Sequence, residues 1–237
     1  MIEKKKEETA LTAQGPNALA TQEPMTGEAI EGSEQTDFQI PSAYMIKGTQ
    51  SDQMIFPGVA PGSMVNTLTQ EPILADTFIV LPCGYKDYQD TRPDASLQTS
   101  RNLGDWPDID TNWDARKAAG HDGPPPVSLR LNFLVLFAGE DFPMVLRFKR
   151  TSLQVGRTLN SLFKVHKGRM LYRIRSKEAQ GTKGPYIVPT ISAAGPAPAD
   201  LYATACSWAT QLAGKDLAKI APEIHEEAAE TTADMPF

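Results

Sequence analysis

The segment VSLRLNFLVLF at residues 127–137 is the strongest indication of how this chain folds. Its odd-numbered positions from 129 to 137 carry Leu, Phe and Val, and these side chains share one face of an extended chain. The even-numbered positions place Arg130, Asn132, Leu134 and Leu136 on the opposite face. This alternation with a period of two predicts a β-strand.

The residues that follow return as a second strand. Residues 138–141 read Ala-Gly-Glu-Asp, which is typical of a turn. In residues 142–150, Met144, Leu146 and Phe148 alternate with Val145, Arg147 and Lys149. The two strands are therefore predicted to form a hairpin.

Patterns elsewhere predict the remaining elements. The further strands are expected at 62–68, 73–81, 169–177 and 186–192, and helices at 151–167 and 197–215. This order predicts a mainly β fold with two helices, as an OB-like antiparallel curved sheet or barrel with flexible termini. A flatter α+β sheet is the alternative.

Composition divides the chain into three parts. Residues 1–35 and 221–237 are acidic and poor in large apolar residues, so both are predicted to be disordered arms. Residues 36–220 form the predicted OB-like nucleic-acid-binding domain, with a long polar loop at 83–126.

Several classes of protein find no support in the sequence. No apolar run approaches the ~20 residues of a membrane helix, and no secretory signal is evident. With 237 residues, a net charge of -6 and only Cys83 and Cys206, we expect one ordered domain in a reducing, cytoplasmic compartment, the host cytoplasm if the protein is phage-encoded.

Motifs for catalysis or metal binding are equally scarce. The histidines, His121, His166 and His225, are far apart, and no phosphate-binding loop or nucleophile motif occurs. Asp105, Asp108 and Asp110 fit either a divalent cation site or, more simply, a polar turn. We therefore expect no enzyme, no metal and no cofactor.

Positive charge is concentrated in residues 130–183, which hold twelve Lys and Arg against three acids, a net charge of +9. If the basic strands are neighbours with matching faces, their side chains and those of the intervening helix form a groove for phosphates. The predicted contacts are Arg147, Lys149, Arg150, Arg157, Lys164, Lys167, Arg169, Arg173 and Arg175. The alternative is a solvated surface paired with nearby aspartates.

Aromatic residues in the predicted loop could supply stacking platforms for bases. They are Tyr85, Tyr88, Trp106 and Trp113. The alternative for the two tryptophans is that they close the loop onto the core. Tyr172 is assigned to the core because it shares a face with Met170 and Ile174.

The chain ends in an acidic segment that finishes with Asp234, Met235, Pro236 and Phe237. This ending resembles that of bacterial and phage single-stranded-DNA-binding proteins. The resemblance implies that the last four residues dock on replication or repair proteins, with the Phe237 ring in an apolar pocket and its α-carboxylate held by a basic residue. It also implies that the tail competes with nucleic acid for the basic groove.

Together these features predict a single-stranded-DNA-binding protein. It would coat exposed strands without sequence specificity during phage DNA replication, recombination or repair, and self-association is left open. A phage recombination annealing protein is one alternative. A virion structural or assembly protein with no DNA role is the other.

Overall fold

One curled sheet organises the structure, a computed structural model that describes residues 39–92, 98–181 and 184–220. Within these residues ten strands are formed: β1 (Ser42–Met45), β2 (Met64–Asn66), β3 (Pro72–Ile73), β4 (Thr77–Val80), β5 (Tyr85–Asp90), β6 (Thr99–Ser100), β7 (Val127–Phe137), β8 (Met144–Lys149), β9 (Met170–Gly181) and β10 (Gly184–Pro196). The predicted mainly β fold, compatible with an OB-like sheet, is confirmed. The predicted arms at 1–35 and 221–237 lie outside the described residues.

Two long helices accompany the sheet, as predicted, and shorter ones occur as well. The helices are α1 (Gln50–Ile55), α2 (Asp108–Thr111), α3 (Trp113–Ala118), α4 (Leu153–His166), α5 (Ala199–Leu212) and α6 (Leu217–Ile220). The four short helices were not expected, because a helix of one or two turns leaves too few residues for a 3.6-residue period.

Strand order departs from sequence order at three places, between β9 and β4, between β4 and β7, and between β8 and β1. The order along the sheet is β10, β9, β4, β7, β8, β1, β2 and β3, and β5 lies between β7 and β6. Strand β4 therefore separates β7 from β9. The strands pair antiparallel, as predicted, with the exception of β1 and β8, which pair in parallel. Only a tight hairpin requires antiparallel pairing, and no hairpin joins these two strands.

The inner face of the curl holds the larger core. Phe133, Val135 and Phe137 of β7 pack there with Leu159 of α4. Residues from distant strands, including Met64 of β2 and Tyr172 of β9, belong to the same cluster. Because strands far apart in the sheet share one core, the sheet must curve around it, and α4 covers the open side.

Helix α5 covers part of the outer face. Leu134 and Leu136 of β7 pack there with Leu212 of α5. The indole Nε1 of Trp208 donates a hydrogen bond of 2.9 Å to the carbonyl oxygen of Asp141. The same indole lies edge-on to Phe142, with ring centroids 4.7 Å apart. These contacts attach α5 to the turn between β7 and β8.

The predicted loop at 83–126 is wrong for its first part, because residues 85–90 form β5. Strands β4 and β5 both pair with β7, but the register shifts by two residues between them. At this break a Cβ on Gly84 would lie 2.8 Å from the carbonyl oxygen of Asn132, so glycine is required. A turn at Pro82 and Cys83 therefore separates β4 from β5 along β7.

Strands β9 and β10 project beyond the sheet as a hairpin. Only residues 171–173 of β9 pair with β4, whereas β10 follows β9 over its length. Ile174 N donates to Asp76 O, so the even-numbered groups of β9 point away from β10. By the same alternation, Pro185 and Pro189 occupy outward positions of β10, where a missing N–H disrupts no ladder bond and discourages edge-to-edge pairing.

The close packing of α4 on the sheet can be tested at Gly156. A Cβ at this position would lie 2.9 Å from Phe148 Cβ and 3.1 Å from Leu131 Cδ1. We expect Gly156→Ala to lower the free energy of unfolding by about 1–2 kcal/mol, because overpacking outweighs the gain in helix propensity. Urea denaturation measures the change. Asn160→Ala, at an exposed position of α4, is the control and should not destabilise; stabilisation by Gly156→Ala would contradict the close packing.

Candidate nucleic-acid interface

The predicted cations do not line one groove in the described residues. Arg147 and Lys149 of β8 and Arg173 and Arg175 of β9 share the outer face, as their alternation predicted. However, β7 and β4 lie between β8 and β9, so the expectation of neighbouring basic strands is wrong. Sequence proximity misleads here because β4, from much earlier in the chain, inserts between the two hairpins. The cations therefore divide into separate groups.

The first group surrounds Tyr85 on the outer face. Arg147 lies opposite Asn132 in the sheet and donates from Nη1 to Ser42 Oγ at 2.7 Å. Burial raises the pKa of Tyr85, and this shift is opposed mainly by the charge of Arg147, which is also a hydrogen-bond partner of the phenol. The Arg101 guanidinium lies 5.0 Å from the centre of the Tyr85 ring. One predicted aromatic and one predicted cation are thus brought together.

This group continues into a buried ion pair. Arg130 Nε donates to Asp87 Oδ1 at 2.9 Å, and its Nη2 donates to the other carboxylate oxygen. Asn132 Nδ2 donates to Asp87 Oδ1 at 2.9 Å. All three side chains are buried, and Lys149 lies opposite Arg130 in β8. The pair joins β5 to β7, which assigns Arg130 a structural role.

The second group is a row on the projecting hairpin. Arg173, Arg175 and Lys177 occupy alternate positions of β9 on the outer face, spaced roughly 7 Å apart. Asp76 pairs with Arg173 Nε at 3.0 Å and with Arg175 Nε at 3.5 Å. Tyr186 of β10 lies opposite Ala179, diagonal to Lys177, and its side chain is exposed. We call these three cations and Tyr186 the hairpin row.

The third group lies on the other side of the sheet, where α4 is packed. Arg157, Lys164 and Lys167 are exposed there, and Arg150 is exposed in the 3-10 turn that precedes α4. Arg169, before β9, lies apart from them, with its guanidinium 6.0 Å from the Tyr202 ring of α5. A single strand of nucleic acid on one face of the sheet could not reach both α4 and the hairpin row.

Two of the four predicted stacking aromatics lie at the end of the sheet away from the hairpin. Tyr85 and Tyr88 belong to β5, which pairs with the first half of β7, whereas the hairpin extends beyond the start of β4. Tyr88 and Trp106 are half-buried. Trp113 is exposed, so the alternative of a core contact is wrong for this residue.

Two residues of the hairpin row were missed by sequence reasoning. Lys177 continues the alternation of Arg173 and Arg175, and Tyr186 begins the strand predicted at 186–192. Extending the period-two pattern by one step and pairing the two strands would have found both. Tyr172 is fully buried, as predicted.

Other predicted sites can be placed only in part. No cluster of His, Cys, Asp or Glu in residues 39–92, 98–181 and 184–220 could hold a metal ion, and this includes Asp105, Asp108 and Asp110. No helix in these ranges is long and apolar enough to span a membrane. The predicted docking tip, Asp234, Met235, Pro236 and Phe237, lies outside the described residues.

The fold and its surfaces define a mainly β protein with a curled sheet and a projecting cationic hairpin. Comparison with known families matches residues 6–218 to the Pam3 phage gp34-like protein family. The match covers most of the chain, which therefore belongs to this phage protein family. No curated protein and no solved structure matches the chain.

The structural role of Arg130 predicts a loss of stability on its removal. In Arg130→Ala, Asp87 would be left buried without its cation, which costs about 3–5 kcal/mol. Urea denaturation should show this decrease in the free energy of unfolding. Lys86→Ala, at an exposed position of the same strand pair, should change it by less than about 0.5 kcal/mol. Equal effects of the two substitutions would contradict the assignment.

Proposed function

We propose that this phage-family protein binds single-stranded DNA without sequence specificity, and that the hairpin row is the surface that contacts the DNA. The observation that carries the proposal is the row itself, in which three cations alternate beside an exposed tyrosine on one face of a projecting hairpin. Cations that follow a phosphate backbone, together with a ring on which bases stack, are the combination used for sequence-independent binding of single strands.

The electrostatic setting also favours this function. Residues 142–177 contain ten Lys and Arg and no Asp or Glu. Because each DNA phosphate that one of these cations neutralises releases condensed counterions, affinity should fall as the salt concentration rises.

A virion assembly protein is the second candidate function. The partial neutralisation of Arg173 and Arg175 by Asp76 favours it, since these cations already have an internal partner. Membership of a phage family fits this candidate equally well. It predicts no salt-dependent affinity for DNA and a stable assembly without nucleic acid.

Titration of a fluorescent oligothymidine at several salt concentrations tests the proposal. We expect tight binding at low salt that weakens steeply as salt rises. In Arg175→Gln/Lys177→Gln, the slope of log affinity against log salt should decrease by about 1.4, because each lost phosphate contact contributes about 0.7 for single strands.

The matched control is Arg157→Gln/Lys164→Gln, which removes the same charge from α4 on the other side of the sheet. It should leave the slope unchanged. Absence of wild-type binding at low salt would exclude the proposed function. Equal effects of the two double variants would exclude the hairpin row as the contact.

Substitution of Tyr186 tests the stacking role separately. Tyr186→Ala should weaken oligothymidine binding by about 5- to 150-fold, since a base stacked on an aromatic ring contributes about 1–3 kcal/mol. The salt slope should stay the same because no charge is removed. Tyr186→Phe keeps the ring and should bind like the wild type; equal losses in both variants would point to the hydroxyl instead.

A further inference from the structure

One carboxylate, that of Asp76, lies against two cations of the hairpin row. Asp76 directly precedes β4, and its carbonyl oxygen accepts a hydrogen bond of 2.8 Å from Ile174 N, which fixes its backbone beside β9. Its Oδ2 atom lies 3.0 Å from Arg173 Nε and 3.5 Å from Arg175 Nε. A single carboxylate oxygen is therefore shared between two guanidinium groups.

This contact leaves most of the hydrogen-bonding capacity of both arginines unused. A guanidinium group has five N–H donors. Arg173 Nε is shielded from solvent and, despite the nearby Asp76, makes no hydrogen bond of good geometry to any described residue. The terminal Nη groups of Arg173 and Arg175 have no partner in the part of the chain that the structure describes. Asp76 thus neutralises charge without satisfying the two planar groups.

A phosphate of a nucleic-acid backbone fits these groups better than the shared carboxylate oxygen does. Guanidinium groups bind phosphate through two parallel N–H donors, which is the strong form of the interaction. The side chain of Arg175 is 67% exposed, and those of Arg173 and Asp76 are 39% and 46% exposed. All three are accessible to a ligand from solution, so a phosphate reaches the guanidinium groups without any change in the core.

We propose that Asp76 competes with the phosphates of single-stranded DNA for Arg173 and Arg175, and so lowers the affinity of the hairpin row. This inference rests on the proposed function and identifies a residue that sets its affinity. In the free protein the carboxylate neutralises the two arginines. In the complex, backbone phosphates replace it at both guanidinium groups, and the contacts made by Asp76 are lost.

Asp76→Asn removes the negative charge and keeps the size of the side chain. At low salt this variant should bind a fluorescent oligothymidine about 2- to 30-fold more tightly, the factor that corresponds to two exposed ion pairs. The increase should become smaller as the salt concentration rises, because salt screens exposed charges.

The matched control is Glu178→Gln, which removes the same charge from an exposed position of β9. By the alternation of the strand, Glu178 lies on the side of the hairpin away from the hairpin row. This variant should tighten binding by less than about twofold, because Glu178 forms no ion pair among the described residues.

A second background separates direct competition from a general change in charge. In Arg173→Gln/Arg175→Gln the partners of Asp76 are absent. Adding Asp76→Asn to this double variant should therefore tighten binding no more than Glu178→Gln does in the wild type. Thermal unfolding of each variant verifies that it is folded.

Three results would overturn the competition and leave the proposed DNA binding in place. They are equal increases in affinity for Asp76→Asn and Glu178→Gln, weaker binding by Asp76→Asn, and an undiminished increase in the Arg173→Gln/Arg175→Gln background. Absence of wild-type binding at low salt would instead exclude the proposed function, and this inference with it.

Discussion

The burial of β7 on both faces is the constraint on which the rest of the structure depends. Phe133, Val135 and Phe137 belong to the inner core, and Leu134 and Leu136 belong to the outer one. A slip of one residue in register would exchange the two sets of side chains. Helices α4 and α5 cover the two faces, so β7 fixes which face every side chain of its neighbours occupies.

The two halves of β7 differ in the side chains that they place on the outer face. At positions 130 and 132 the outer face carries Arg and Asn instead of leucine, and both side chains are buried. They could not stay buried without partners, because an unpaired charge in the interior is very costly. The Asp87 carboxylate is the hydrogen-bond partner of both side chains. Burial of the apolar second half of β7 therefore depends on the polar residues of β5, which provide partners for the polar first half.

This dependence explains which parts of the fold could be predicted. The faces of β7, β8 and β9 follow from alternation within each strand, so local patterns were sufficient. Strand β5 reads Tyr-Lys-Asp-Tyr-Gln-Asp and lacks an apolar face, so its pairing becomes intelligible only with Arg130 and Asn132 in place. The insertion of β4 between β7 and β9 is a long-range pairing that carries no local signal.

The same limit applies to the candidate site. The cations are evident in the sequence, but how they group on the surface required the strand order. Arg147 and Arg173 share a face, yet two strands, β7 and β4, lie between them. Arg157 lies on the other side of the sheet. Trp113 could have been a core residue by composition, and only its exposure assigns it to the surface.

The path of the acid-free segment accounts for this separation. Between residues 142 and 177 the chain forms β8, whose Arg147 and Lys149 lie on the outer face, then α4, which packs on the opposite side of the sheet, and then β9. The ten positive charges of these residues fall within one acid-free segment of the sequence but lie on both sides of the sheet. A strand of DNA bound as we propose on the hairpin row would meet about three of them, so its salt dependence would correspond to about three phosphates. The positive charge on α4 would not add to this salt dependence, because α4 packs on the other side of the sheet.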